Sequence, residues 1–543
     1  MPTSDIYAGI ANIKGLRLGN IYGKLMLGTK QVYPITYENQ PLTFVALEAG
    51  TFTFSGNSVS YSLDRGATWL TLASNTASPS VVAGKTIMWK GTITPTSGAG
   101  IGTFSSTGRF TAEGNPMSLL FGDGFIGQTS LSGKDYAFCV LFSGSTSLTN
   151  AENMSLPATT LASNCYDGMF SGCTNLTTAP ALPATSVTDY CYHNMFYGCT
   201  SLATAPSLPA TTLEPYCYDS MFIRCTSLTT APNLPATTLA NWCYNGMFSN
   251  CSGLTTAPVL SATTLADYCY RNMFYGCKSL TTAPNLPAKT MKLACCQSMF
   301  DGCSSLTKAP VISATTLENN CFYSMFYACT SLTRAPELLA TTLASQCYRQ
   351  MFQGCTSLTT APELPATTAV QSCYQSMFQG CTALIVGPNI SAKTVSTSAC
   401  TSMFYGCTSL KNVASFAPTS VGAYSCYNMF SGCTSLYTAP SLPATTLADS
   451  CYGNMFSNCR TMNTAPTLNT KKLVANCYRQ MFRGCTNLNN IRCLATDISA
   501  TNCTTNWVYG VAASGTFTRY KGMSKWTTGS NGIPSGWTVK EVS

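Results

Sequence analysis

Residues 165–190 read CYDGMFSGCTNLTTAPALPATSVTDY, and this stretch is rewritten down most of the 543-residue chain. Its Met-Phe dipeptide begins at Met169, Met195, Met221 and onward to Met481, always at an interval of 26 residues, and one further step lands on Trp507. A period this strict means a solenoid. Each unit is too small to bury its own apolar face, so it must stack on the next.

Within a unit, Leu161, Cys165, Met169 and Cys173 recur every four positions with Tyr166 and Phe170 beside them. This spacing predicts a short helix with one wide apolar face. Thr159 and Thr160 are placed to cap its start. Gly172 stands where the chain must leave it, as do Gly198, Gly276 and Gly302, with Asn250 and Asn458 in two units, so positive φ is expected down this column. The expected core ladder runs Cys165, Phe170, Cys173, then Cys191, Phe196, Cys199, then Cys217, Phe222, Cys225. After the glycine, TNLTTAPALPATT predicts an extended segment with Leu176, Ala179 and Leu182 inward, stacked as a narrow parallel ladder. Pro180 and Pro183 each remove an N–H, so a strand of about three residues is expected, followed by a polyproline-like stretch.

The fold class is thus a repeat solenoid, one short helix and one short parallel strand per unit, preceded by all-β N-terminal domains. Residues 1–40 carry glycine-broken apolar runs that read as a β-rich segment. Residues 41–122 alternate apolar and polar positions between turn signals and predict a β-sandwich, with Trp69 and Trp89 as core anchors. Residues 123–164 form a degenerate capping repeat, with Leu141-Phe142 in the Met-Phe place. The array proper spans 165–506. Residues 507–543 turn strand-like and close the stack with Phe517, Trp526 and Trp537, because a terminal unit must turn an atypical face to water.

Charged residues are only 9% of the chain, and the net charge of +9 has no Lys/Arg run, which argues against a nucleic-acid partner. No stretch approaches the roughly 20 apolar residues of a membrane span, so no membrane insertion is expected. The start lacks a basic and apolar leader, so a conventional secretory signal is not expected unless one has been trimmed. The thirty cysteines fall mainly in two columns eight residues apart, with Ala399 a substitute in the first and Cys426 read as following a one-residue deletion; Cys139, Cys296, Cys400 and Cys493 stand outside both. Buried free thiols are the leading reading, with column disulfides and metal ligation as alternatives. His193 is the sole histidine and occupies a variable position, and no phosphate loop or dinucleotide fingerprint occurs. Neither an enzyme nor a cofactor is expected.

Variation within the array marks the positions that face solvent. Candidate ligand contacts are Tyr197, Tyr275, Tyr327 and Tyr405 after Met-Phe, Arg271 and Arg349 after Cys-Tyr, Lys308 and Arg334 before Ala-Pro, and the column neighbours Glu337 and Glu363.

The motif MFxGCTSLTxAPxLPATTLxxxCY resembles the BspA-like (Treponema-type) leucine-rich repeat, with Met-Phe standing for Ala-Phe. The cap ending GIPSGWTV and the leading sandwich with YSLDRGATW resemble proteins of gut Bacteroidales and their phages, and IKGLRLGNIYGKLMLGTKQVYP resembles the attachment segments that open phage fibres. The resemblance implies a non-enzymatic virion fibre or receptor-binding protein at the virion surface. Its N-terminal β regions would dock to virion structural proteins and its solenoid would bind a host-surface glycan or protein; fibres of this kind imply a homotrimer. A bacterial cell-surface adhesin is the alternative, and a glycan-degrading spike the weaker one.

Overall fold

The computed structural model describes residues 36–543, together with the backbone of two paired strands, β1 (Leu25–Leu27) and β2 (Lys30–Tyr33). The remainder of the expected attachment segment lies outside the described residues. Next come β3 (Leu42–Ala46), β4 (Phe52–Phe54), β5 (Val59–Ser62), β6 (Leu70–Leu72), β7 (Thr86–Lys90), β8 (Phe104–Ser106) and β9 (Phe110–Glu113). Alternation decides their facing: Ile87 and Trp89 of β7 are buried while Thr86, Met88 and Lys90 lean outward. Strands β4 and β8 pair with each other; the others join a six-stranded sheet in the order β10-β9-β3-β7-β5-β6, where β10 is Leu148–Asn150. Phe44 is the centre of this core, with the rings of Phe52, Phe104, Phe110 and Trp89 at 4.9–5.6 Å. Trp69 does not join it. It is half-buried at the surface with the Lys90 ammonium 4.3 Å from its ring, because β6 is an edge strand with only one side covered.

Strand β10 belongs to the first coil of the array, so the N-terminal sheet runs directly into the solenoid: β10 pairs in parallel with β9, and Phe142 sits 5.7 Å from Phe44. From there the coils stack at the 26-residue period. The four-residue rhythm is not helical. In residues 164–173 every second N–H closes a three-residue turn (Cys165 to Ala162, Met169 to Tyr166, Cys173 to Phe170), and the alternate ones cross to the next coil (Tyr166 to Cys191, Gly168 to His193, Phe170 to Met195, Gly172 to Tyr197). An α-helix would return all of them along its own axis, and at about 100° per residue its Cys165–Met169–Cys173 column would drift about 80° off the core face. Alternating turns keep two residues in and two out with no drift. Every amide of this stretch is thereby satisfied.

Such turns require a left-handed residue at each fourth position, and φ is positive at Asn164, Gly168 and Gly172 alike. The glycine column is therefore left-handed as expected, with φ +75° at Gly172, but as one of three turn corners and not as a helix exit. Inside, Phe rings stack coil on coil from Phe142 to Phe482 at 5.4–5.8 Å, nearly parallel. A second ladder of Tyr166, Tyr192, Tyr218, Tyr244 and Tyr270 runs beside it, interrupted where Cys296, Cys400 and Cys426 occupy the tyrosine column. Cys426 follows no deletion: its N–H reaches Cys451 as that of Tyr166 reaches Cys191, and Ser425 fills the cysteine column.

The strand side is weaker. Most coils meet there only through single bridges such as Thr178 to Thr204 and Thr282 to Lys308. Two-residue strands β11 (Thr368–Ala369), β13 (Thr394–Val395) and β15 (Ser420–Val421) pair in parallel, and paired strands of four or five residues form at β12 (Val386–Ile390) with β14 (Asn412–Phe416), and at β16 (Asn490–Cys493) with β17 (Thr516–Tyr520). In the four longer segments the second proline of APxLP is absent, and in three of the four the first is absent as well, which restores ladder donors. Strand β18 (Thr538–Val542) completes the exit cap, where Trp507 covers Phe482 and Trp526 lies 5.4 Å from Trp507. Among the described residues no helix is long and apolar enough to cross a membrane.

Candidate ligand-contact surface

All thirty cysteines are free and buried. In the second column each thiol donates to the Phe carbonyl one coil back, Cys199 to Phe170 at 3.1 Å and Cys355 to Phe326 at 3.0 Å. A cysteine there fills the space of a small apolar residue and supplies a donor that alanine lacks. Burial pushes these thiols up to about 12 at Cys173, Cys355 and Cys485, so they stay protonated and unreactive. Among the described residues no group of three or more His, Cys, Asp or Glu side chains is arranged to hold a metal.

The ten candidate contact residues are not one site. Tyr275 and Tyr405 are well exposed, whereas Tyr197 and Tyr327 are half-buried; the four stand two or three coils apart, so no two of them stack. Arg349 lies over Tyr323, 5.5 Å from the ring. Glu363 is exposed but sits one coil beyond the groove described next.

Lys308, Arg334 and Glu337 are brought together. They line an open groove of about 660 Å³ on the strand side, joined by Lys289, Val311 and Leu339. Repetition makes the groove conspicuous, because its residues are departures from APxLPATT: Lys289, Lys308 and Arg334 replace threonine, and Ser313 and Leu339 replace proline. Val311 is 65% exposed and Leu339 48%, so both aliphatic side chains are open to solvent at the groove. The groove lies over a seam, since Lys308 bridges back to Thr282 and Arg334 forward to Thr360.

A second surface escaped the sequence reading. Tyr190, Tyr216, Trp242 and Tyr268 occupy one turn-corner column on successive coils and stack at 4.5, 5.7 and 4.2 Å. Arg271 lies over this strip, 5.4 Å from the Trp242 ring. Beside it Asp167, His193 and Asp219 form a row, with His193 Nδ1 3.0 Å from Asp167 and Nε2 3.8 Å from Asp219. Burial opposes protonation of His193, but the hydrogen bond and charge of Asp167 together with the charge of Asp219 outweigh it and raise the pKa. The signal was a run of four aromatics in a column where most other coils carry Asn, Ser or Gln, with Ala294 and the lone Tyr424 among the departures. A helical reading obscured it by giving that column no common direction.

The family described as the BspA type leucine rich repeat region matches in six copies, over residues 140–255, 218–359, 324–463 and 426–503. No curated protein matches the chain. Repeats of this type suggest a surface, adhesion-type protein. With residues 140–503 covered, more than half of its length, the chain belongs to the BspA-type leucine-rich repeat family.

Proposed function

We propose that the chain is a non-enzymatic virion fibre or receptor-binding protein, with N-terminal β regions that dock to the particle and a solenoid that binds a host-surface glycan or protein. The observation that carries the binding role is the groove of about 660 Å³ between Lys308 and Arg334, open to solvent and built from departures in an otherwise uniform array. The continuous sheet from β3 to β10 supports a stiff connection between the two ends, because a rod that bent there would break backbone pairing and the Phe44–Phe142 contact. Immunogold microscopy of phage particles, with antibody against the solenoid, tests the assignment. Gold on particles is the expected result, and labelling confined to bacterial envelopes would replace it with the cell-surface adhesin that the repeat family also favours. Depolymerisation of host polysaccharide by the purified chain would contradict the non-enzymatic reading.

A further inference from the structure

We infer that the groove at Lys289, Lys308 and Arg334 takes an acidic saccharide, a sugar chain carrying carboxylate or sulfate groups; this rests on the adhesive reading above and specifies its ligand. Charge is the first argument. Three cations and one carboxylate, Glu337, line the groove, a net +2, and none of the three cations has a carboxylate within 4.0 Å among the described residues. Lys292 outside the groove is by contrast neutralised by Glu318 at 2.9 Å. Unpaired cations grouped in a concavity focus field on an anion and hold it through charge-assisted hydrogen bonds.

The lining is the second argument. Val311, Leu339 and Pro310 contribute aliphatic surface, and Thr307, Ser313 and Thr315 contribute hydroxyls to the same groove. This suits the apolar face and the hydroxyl rim of a sugar ring together. An acidic peptide is the competing ligand, and the groove fits it less well. Protein partners anchor on aromatic hot spots, and the groove lining holds no aromatic side chain.

The test uses the full chain and four probes: heparin oligosaccharide, polygalacturonate, neutral dextran and polyglutamate, each titrated by calorimetry. The expected result is binding of one or both acidic saccharides that weakens as salt rises from about 50 to 200 mM, with dextran and polyglutamate much weaker. Lys308→Gln with Arg334→Gln, both exposed, should leave the thermal midpoint unchanged and weaken that binding by about tenfold or more. Glu337→Gln should strengthen it. Equal affinity for dextran, equal or tighter binding of polyglutamate, no binding of either acidic saccharide, or an unaltered double variant would overturn the inference. Attachment of the double variant to host cells at wild-type strength would overturn this ligand assignment and leave the adhesive role standing.

Discussion

At the scale of single residues, the solenoid replaces a varied core with a few repeated side chains, so each is tested many times over. Phe300 lies between Phe274 and Phe326, 5.5 Å from each ring, and is fully buried. Phe300→Ala should cost about 3–5 kcal/mol in chemical denaturation, against less than about 0.5 kcal/mol for the exposed Tyr437→Ala. Equal effects would mean the ladder is not what holds the coils. The thiols make a second prediction. Burial raises Cys355 and Cys485 to about 12 and pushes their column mates up as well, so the folded state holds protons that the unfolded chain releases near pH 9. Their contribution is complete below pH 9 and is lost as pH climbs from 9 to 12, so alkaline unfolding should be steep in that window. At pH 8 iodoacetamide should label almost no thiol until denaturant is added; mass spectrometry of the native chain counts the adducts, and extensive labelling would contradict the burial.

The turn corners belong to the scale of the element. Gly354 has φ +76° and only Ala328 near the place of a Cβ, so a substitution there is limited by backbone conformation and not by space. Gly354→Asn should be nearly neutral, since Asn250 and Asn458 hold the same corner, whereas Gly354→Val should lower stability by about 1–2 kcal/mol or more. Thermal melts rank the two, and the reverse order would return the column to a helix end. The strand side obeys a complementary rule. Strands β12, β14, β16 and β17, of four or five residues, all lack the second proline of APxLP, whereas Ser313 and Leu339 sit in coils that still touch through single bridges, so losing that proline permits a longer ladder without dictating it.

Over the whole molecule, the two ends decide whether the stack exists alone. The Phe44–Phe142 contact seals one end, and Trp507, Trp526 and Phe517 seal the other. Deletion of residues 507–543 would bare the faces of Tyr478 and Phe482, which Trp507 covers at 6.3 and 6.1 Å. The shortened chain should associate or precipitate, read by light scattering after gel filtration. A soluble monomer would mean the tail is not a cap. The same continuity explains why the N-terminal sheet and the solenoid form one rod: β9 lends its edge to β10, and no open strand edge is left at that junction.

The period of 26, the inward columns of Cys, Met, Phe and Leu, the left-handed glycines and the capping tryptophans were legible in the sequence, because repetition records the same burial decision in every unit. The helix was misread because periods of 3.6 and 4.0 give the same apolar stripe over so short a stretch; the two part only through where alternate amides find partners, and that is a contact between coils. For the same reason Lys308, Arg334 and Glu337 could be singled out one by one but not as a groove, nor Tyr190, Tyr216, Trp242 and Tyr268 as a strip. A column becomes a surface only when stacking fixes the direction in which it points.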